Sequence, residues 1–461
     1  MKKIHWGFLT LIVILLTACN GKKEFKVDNT QPVSSQNRVI YEMNVGAFTP
    51  EGTFAAAQAR LDELHTLGID IVWLMPIYPR GETKNSPYAS MNFREVNPKY
   101  GKLDDVKNFV NRAHELGMEV WLDWVPNHVA VENPWVTTHP EYFTKDKAGK
   151  MINPFGWMDV FELNYQDAGL VNEMNSTLKF WVSEVGIDGF RCDYVSSPTI
   201  PITYWQNIIS ELKELKNFHS SPITLMSETD ITDPNNNRID SCGFDYDYAW
   251  NFQGMLAYKF GKDGHDADSL KAICQKFLTD SKTIKNRRMA YLTNHDQNFN
   301  DGGHTLKDFY GDNRYALTVL EFTFYGMPLL YNGQEIGDNQ LLDYFNDSKV
   351  DWQNVDRKMC NTVRSLIALK HTLPALADDN EPTFLETDKA AVMAYCHDNV
   401  VVVLNLSTDN VEAKVDLPAG KYQQMLDSKT IAEGPTTQRV KLAPTEPIQL
   451  EPKGYAVYVK K

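Results

Sequence analysis

Two charged side chains lie two residues apart at the end of an apolar segment, GFRCD, at positions 189–193. On a β-strand Arg191 and Asp193 point to the same face, so the guanidinium favours the ionised carboxylate that a nucleophile requires. Glu228 closes a second apolar segment, ITLMSE, where desolvation or a neighbouring negative charge would keep it protonated as a general acid. A pair of carboxyl groups in these two states can cleave a glycosidic bond.

Further polar residues follow the same pattern. The segment DWVPNH ends with Asn127 and His128, and the segment TNHD ends with His295 and Asp296. One Asp at such a place is most often a helix N-cap, but four segments with three carboxylates, two histidines and an arginine indicate one shared site. We expect Asp296 to bind sugar hydroxyls and to raise the pKa of the acid, and the histidines to donate hydrogen bonds that strengthen in the transition state.

Eight short apolar segments that alternate with helical patterns must position these residues. Eight parallel βα units close most naturally into a (β/α)8 TIM barrel, in which the C-terminal strand ends converge on one mouth; an open doubly wound sheet is the alternative. The predicted strands cover residues 39–48, 69–77, 118–128, 186–193, 223–230, 244–252, 288–296 and 327–335.

Two regions depart from the repeating pattern. The link after strand 3 is long and rich in Pro, Trp and Asn, which predicts a small inserted subdomain over 129–167. The final segments read as antiparallel strands and predict a C-terminal all-β sandwich domain over 373–461. The barrel is therefore predicted to comprise 38–128 and 168–372.

The N-terminus is typical of a targeting segment. Two lysines precede the apolar residues 7–16, which are too few for a membrane span. The sequence LTAC, which ends at Cys19, resembles the lipobox of bacterial lipoproteins; an ordinary signal peptide is the alternative. We predict a signal peptide over 1–18, a flexible tether over 19–37 lipidated at Cys19, and a lipid-anchored location in the bacterial cell envelope, periplasmic or at the cell surface.

The composition limits the classes of partner that the protein is expected to bind and the chemistry of its cysteines. The formal net charge of −14 disfavours nucleic acid, whose phosphates need a basic surface, and suits a neutral ligand. The five cysteines other than Cys19 are widely spaced without a metal-type pair, which predicts mostly free thiols, with one bridge left open.

In chain order, the strings DWVPNH, GFRCD, SETD and TNHD resemble the four signature regions of the α-amylase superfamily, glycoside hydrolase family thirteen. The resemblance extends over roughly residues 39–461. It implies an α-retaining mechanism with Asp193 as nucleophile, Glu228 as general acid/base and Asp296 as transition-state stabiliser. It also implies a set of substrate-binding side chains, of which the first matches a sugar-stacking tyrosine: Tyr88, His128, Arg191 and His295.

The sequence departs from the family after the nucleophile. Many members follow it with an Ala and then a Lys-His pair, whereas Asp193 is followed by YVSS. The lysine that would bind the leaving side is absent, and so is the histidine whose backbone helps to bind calcium. Asn127 matches the family's calcium-ligand asparagine, so a bound Ca²⁺ stays open with this one candidate among the six to eight oxygens it needs. No organic cofactor is implied.

The resemblance implies an enzyme that hydrolyses α-1,4-glucans such as starch, glycogen or maltooligosaccharides. Alternatives within the family are α-1,6 cleavage, cyclomaltodextrinase or neopullulanase activity, and glucanotransfer. A non-catalytic glucan-binding or transporter-associated protein is a different class of function. Such proteins typically lose part of the carboxylate set, and this chain keeps all three.

Overall fold

The structure is a computed structural model that describes residues 37–300, 302–433 and 446–461. The predicted signal peptide, Cys19 and nearly all of the predicted tether lie outside the described residues. Within those ranges, no helix has both the length and the apolar character needed to cross a membrane.

Eight parallel strands close into a barrel. The strands up to residue 331 are β1 (Ile40–Met43), β2 (Ile71–Leu74), β3 (Glu119–Trp124), β4 (His128–Ala130), β5 (Val160–Glu162), β6 (Gly189–Cys192), β7 (Thr224–Ser227), β8 (Tyr246–Tyr248), β9 (Arg287–Ala290) and β10 (Met327–Tyr331). All but β4 and β5 belong to the barrel, in the order β1-β10-β9-β8-β7-β6-β3-β2. This confirms the predicted TIM barrel and excludes the open sheet.

Helices lie between the strands along the chain, and the longer ones pack against the outside of the barrel. They are α1 (Val45–Phe48), α2 (Phe54–Gln58), α3 (Leu61–Leu67), α4 (Leu103–Glu115), α5 (Trp135–Thr138), α6 (Ala168–Phe180), α7 (Ile202–Glu214), α8 (Trp250–Gly254), α9 (Ala267–Ser281), α10 (Leu306–Tyr310), α11 (Asn313–Thr323) and α12 (Arg357–Thr372). Helix α4 shows why they pack there: Val106, Phe109, Val110 and Ala113 are buried at spacings of three and four residues, which is one helix face.

Alternate strand residues fill two apolar layers. On β2, Ile71 and Trp73 belong to the cluster inside the barrel, whereas Val72 and Leu74 belong to the larger cluster between strands and helices. Both faces of each strand are therefore buried, as expected for a parallel sheet covered by helices.

The strands are shorter than the apolar segments that predicted them. The first predicted strand continues to residue 48, but β1 ends at Met43, and the carbonyl of Asn44 accepts hydrogen bonds from Ala47 and Phe48 at the start of a helical turn. The predicted strand over 288–296 likewise ends at Ala290. A buried loop can be as apolar as a strand, so hydropathy does not show where the hydrogen-bonded pairing of the strands ends. Asp193, Glu228 and Asp296 consequently lie beyond the C-terminal ends of their strands, whereas Arg191 lies within β6.

A small subdomain is inserted between β3 and β6. Its core is the antiparallel pair β4 and β5, in which His128 lies opposite Glu162 and Val129 opposite Phe161. The hairpin starts at the C-terminal end of β3, so it stands at the mouth of the barrel.

The C-terminal region is antiparallel. Its strands are β11 (Thr383–Leu385), β12 (Val392–His397), β13 (Val400–Asn405), β14 (Val411–Ala413), β15 (Tyr422–Asp427), β16 (Ile448–Leu450) and β17 (Tyr455–Lys460). A five-stranded sheet in the order β11-β12-β13-β17-β15 is accompanied by the pair β14-β16. The sheet is tied to the barrel by a 2.6 Å hydrogen bond between the hydroxyls of Thr323 on α11 and Tyr395. This arrangement confirms the predicted all-β domain.

Candidate active site

One guanidinium gathers three carboxylates at the mouth of the barrel. Arg191 is the third residue of β6 and is completely buried. Its Nη1 lies 2.8 Å from Oδ1 of Asp193 and 2.9 Å from Oδ1 of Asp123. Its Nη2 lies 2.7 Å from Oε1 of Glu228, an ion pair that is not aligned as a hydrogen bond. The two residues predicted to cleave the bond therefore contact the same cation.

The strand register explains this convergence. Asp123 on β3 lies opposite Arg191 on β6, and Cys192 lies opposite Ser227 on β7. Asp193 and Glu228, the next residues on β6 and β7, therefore leave their strands side by side.

Aromatic rings hold the guanidinium in place. The Nε of Arg191 lies 3.1 Å from the hydroxyl of Tyr248, to which it donates. The guanidinium carbon is 5.2 Å from the ring of Trp73, 5.6 Å from that of Tyr88 and 5.5 Å from that of Tyr248. Such cation–π contacts stabilise a buried cation, so the ion pairs radiate from a fixed centre.

The environment of Glu228 suits a general acid. Burial raises the pKa of Glu228 well above its usual range, and the negative charges of Asp193 and Asp296 raise it further. Arg191 opposes this rise, as does the backbone N–H of Tyr194, which donates to Oε2 of Glu228 at 2.7 Å. The net direction favours the protonated carboxyl group that a general acid requires.

His295 is a buried cation. Its Nδ1 lies 2.5 Å from Oε1 of Glu42, and its Nε2 lies 2.7 Å from the hydroxyl of Tyr88 and 3.4 Å from Oδ2 of Asp296. Burial lowers the pKa of His295, but the charges of Asp296 and Glu42 outweigh it and raise the pKa to about 9. The imidazolium can therefore donate hydrogen bonds from both nitrogens at neutral pH.

Tyr88 lies in the centre of the group. Its hydroxyl donates to Oδ2 of Asp123 at 3.1 Å, and its ring stacks on that of His295 with centroids 5.3 Å apart. Tyr88 thus links the Arg191 cluster to His295, and its ring is only partly buried.

Asn127 ends the loop after β3, His128 is the first residue of β4, and both are buried. Burial lowers the pKa of His128, so the ring is neutral at neutral pH, and its Nδ1 lies 3.1 Å from Nδ2 of Asn127. The Oδ1 of Asn127 is buried without a hydrogen-bond partner, as a metal ligand would be. However, no three side chains of His, Cys, Asp or Glu in the described ranges come together to hold a metal. Backbone and amide oxygens can also bind Ca²⁺, so calcium binding at Asn127 stays a prediction.

Four functional residues were not assigned from the sequence: Glu42, Trp73, Asp123 and Tyr248. Glu42 carried a signal, because a carboxylate in the middle of an apolar strand must have a buried partner. Asp123 stands in the DWVPNH segment but was given no role. Trp73 and Tyr248 gave no signal of a functional role in the sequence, since an aromatic residue in an apolar run is most often part of the core.

Comparison with known proteins places the chain in a family. The family model for the α-amylase catalytic domain matches residues 24–162 and 155–365. The chain is 27% identical over 355 residues to a malto-oligosyltrehalose trehalohydrolase of Saccharolobus solfataricus (70% of this chain, 61% of the relative) and 26% identical over 409 residues to the α-amylase MalA of Haloarcula japonica (84% and 58%). It thus spans about three fifths of the length of these relatives.

Among solved structures, the noncanonic maltogenic α-amylase AmyB of Thermotoga neapolitana matches with a TM-score of 0.75 and 25% identity, covering 93% of this chain and 99% of that one. The family model spans most of the barrel, including all four segments that supply the site. This protein therefore belongs to the α-amylase family.

Proposed function

We propose that the protein is a retaining α-glycoside hydrolase that acts on α-1,4-glucans such as starch, glycogen and maltooligosaccharides. The observation that carries this proposal is the shared contact of Asp193 and Glu228 with Arg191, in a site where burial raises the pKa of Glu228. The named α-amylases among its relatives and structural neighbours support the choice of an α-glucan.

In the first step, Asp193 attacks the anomeric carbon while Glu228 donates its proton to the leaving glycosidic oxygen. In the second step, Glu228 takes a proton from water, which attacks the same carbon and releases Asp193. Asp296, His295 and His128 bind the hydroxyls of the sugar at the reacting centre, with Tyr88 beside them. Two displacements at one carbon retain the α-configuration.

Other reactions of the same family use the same covalent intermediate. Relatives include a trehalohydrolase and α-1,4-glucan:maltose-1-phosphate maltosyltransferases, which keeps α-1,6 cleavage, cyclodextrin or pullulan cleavage and glucanotransfer as second candidates. A purely binding function is disfavoured, because a protein that only binds glucan has no need of an acid with a raised pKa.

Product analysis on amylose, pullulan and cyclodextrin, with the anomer followed by NMR, tests linkage and stereochemistry together. We expect amylose to yield α-anomeric maltooligosaccharides. The variant Asp193→Asn should lose on the order of 10⁴-fold or more in kcat, about 5 kcal/mol of barrier, with an unchanged circular dichroism spectrum. The matched control is Asp409→Asn, an exposed residue on a loop of the C-terminal domain. Near wild-type activity in Asp193→Asn, or β-anomeric products, would contradict the assignment.

We also propose that the chain is anchored to a membrane of the bacterial cell envelope through a lipid on Cys19. The LTAC segment after a short apolar stretch supports this proposal. Replacing Cys19 by Ser should move the protein from the membrane fraction to the soluble fraction, as fractionation and immunoblotting would show. Unchanged partitioning would contradict lipidation.

A further inference from the structure

The segment that carries His295 and Asp296 continues beyond the strand pairing of β9. The pairing with β8 ends at Met289 and the pairing with β10 ends at Ala290, yet the chain stays buried as far as His295. A buried backbone carbonyl needs a hydrogen-bond partner, which beyond the end of a strand must come from side chains or other loops. Residues 291–297, which we call the Asp296 loop, therefore depend on the groups that pack behind them.

Two side chains on helices bind the carbonyl of Leu292 in this loop. Tyr310, the last residue of α10, donates its hydroxyl hydrogen to this oxygen at 3.0 Å. Gln253 on α8 donates to it from Nε2 at 3.3 Å, and the same nitrogen lies 3.4 Å from the hydroxyl of Tyr310. Both side chains are buried, so these hydrogen bonds are shielded from solvent.

Gln253 also contacts the other end of the loop. Its Nε2 lies 3.4 Å from Oε1 of Gln297, and the backbone N–H of Gln297 donates to Oδ1 of Asn294 at 2.9 Å. One amide group thus contacts the chain three residues before His295 and one residue after Asp296. Contacts at both ends of so short a segment limit the movement of the backbone between them.

Small movements of the Asp296 loop matter because its side chains act at short range. The Nε2 of His295 lies 3.4 Å from Oδ2 of Asp296 and 2.7 Å from the hydroxyl of Tyr88. Catalytic groups must be held within about 0.5 Å of the productive geometry, and a displacement of about 1 Å can lower a rate about 10²-fold. The hydrogen bonds behind the loop therefore bear on the reaction as well as on stability.

We propose that Gln253 and Tyr310 are positioning residues that hold His295 and Asp296 in the geometry required for catalysis. This inference rests on the proposed glycosidase function and adds two residues that act through the backbone of the loop. The alternative is that the two side chains contribute only to the stability of the fold, as buried hydrogen bonds do throughout a protein. Only the positioning role links these hydrogen bonds to the properties of His295 and Asp296.

The test removes the hydrogen bonds with little change in volume. Tyr310→Phe loses the hydroxyl group, and Gln253→Met replaces the amide by an apolar chain of similar length. For each variant we expect kcat on maltohexaose to fall about tenfold, which is about 1.4 kcal/mol of barrier, and KM to change less than about threefold, because interactions made in the transition state are lost. Since both side chains bind the carbonyl of Leu292, the double variant should lose less than the product of the two single losses.

The NMR titration of the His295 imidazole supplies a readout that a purely structural role would not change. The charges of Asp296 and Glu42 raise the pKa of His295 to about 9, so a loop that lets Asp296 move away from the ring should lower this pKa. We expect a fall of about 0.5 or more in both single variants. This measurement uses no substrate, so it still tests the positioning role if the wild-type protein does not cleave maltohexaose, a result that would contradict the proposed function alone.

Tyr422→Phe is the matched control. Tyr422 on β15 is buried, and its hydroxyl donates to the carbonyl of Pro418 at 2.6 Å, so this variant also removes a hydroxyl that binds a backbone carbonyl, but in the C-terminal domain. We expect similar falls in Tm for Tyr422→Phe and Tyr310→Phe, whereas Tyr422→Phe keeps the wild-type kcat and the wild-type pKa of His295. A wild-type kcat or a wild-type pKa of His295 in Tyr310→Phe would overturn the inference. If Gln253→Met does not fold, Tyr310→Phe decides alone.

Discussion

The contact between Glu42 and His295 gives a prediction about pH dependence. Glu42 is completely buried on β1, and its Oε1 lies 2.5 Å from Nδ1 of His295. The variant Glu42→Gln keeps the size of the side chain and an oxygen that can accept from Nδ1, but it removes the negative charge. Any change in behaviour therefore reports the charge of Glu42 and not a lost contact.

The magnitude follows from the pKa of His295. Burial lowers this pKa, and Asp296 and Glu42 raise it to about 9. Compared with the ordinary value of about 6.5, this corresponds to about 3 kcal/mol of preference for the charged ring. That contribution to stability is fully present below pH 6.5 and is lost as the pH rises through about 9. Burial also raises the pKa of Glu42, which offsets part of it.

Without the charge of Glu42, we expect the pKa of His295 to fall to about 7. The charged fraction of the ring at pH 8 then falls from about 0.9 to about 0.1. If the imidazolium binds the transition state, the ratio of kcat/KM at pH 8 to kcat/KM at pH 6 falls about ninefold relative to wild type.

The assay is kcat/KM for maltohexaose between pH 5 and pH 9, together with the NMR titration of the His295 imidazole. Because the raised pKa of Glu228 also shapes the pH profile, the variant His295→Gln supplies the control. Adding Glu42→Gln to His295→Gln should produce no further change in the pH ratio. Superimposable profiles for wild type and Glu42→Gln, or a shift that persists without His295, would refute the reasoning.

Three further predictions concern the scaffold around the site. Arg288 is buried and binds Asp247 at 2.9 Å and Asp230 at 3.0 Å, so Arg288→Met leaves two buried carboxylates unpaired and should lower the free energy of unfolding in urea by about 3–5 kcal/mol; a loss below about 1 kcal/mol would contradict this. Chelation by EDTA should leave amylose hydrolysis and Tm unchanged, since Asn127 is the one residue of the sequence that was matched to a calcium ligand of the family, and a large loss of either would reveal a metal site. The five cysteines of the described ranges are thiols that form no disulfide, and all except Cys396 are buried, so a thiol reagent should modify at most this one in the native protein and all five after unfolding in denaturant without a reductant.

Much of the site could be predicted from the sequence because its signals are local. Arg191, Asp193, Glu228 and Asp296 each follow an apolar run within a few residues, and eight such runs leave few topologies other than a barrel. Once the barrel is assumed, its geometry brings the strand ends together, so residues more than 100 positions apart could be placed in one site without knowledge of their contacts.

The features that the sequence did not predict are contacts between residues that lie far apart in the chain. Glu42 and His295 are 253 positions apart, and no sequence feature near either residue indicates that the two are in contact. The Tyr88 ring was predicted to stack on a sugar, and only the structure shows that it also stacks on His295 and bonds to Asp123. The ring contact between Phe155 and Tyr194 likewise involves two residues in the left-handed region, whose φ angles no hydropathy pattern predicts.

The geometry around Arg191 also bears on how one carboxyl group can serve as acid and then as base. A lysine could not replace this arginine, because three separate nitrogens of its planar group face Tyr248, the two aspartates and Glu228. One positive charge cannot balance three carboxylates in a buried site, so a proton on one of these carboxyl groups is favoured. The charge of Asp193 is one cause of the raised pKa of Glu228. In the proposed intermediate, Asp193 is a neutral ester. The repulsion from Asp193 then disappears while the attraction of Arg191 persists, so the pKa of Glu228 falls after it has given up its proton and the carboxylate is ready to accept one from water. The change of role thus follows from the formation of the covalent bond and requires no movement of the chain.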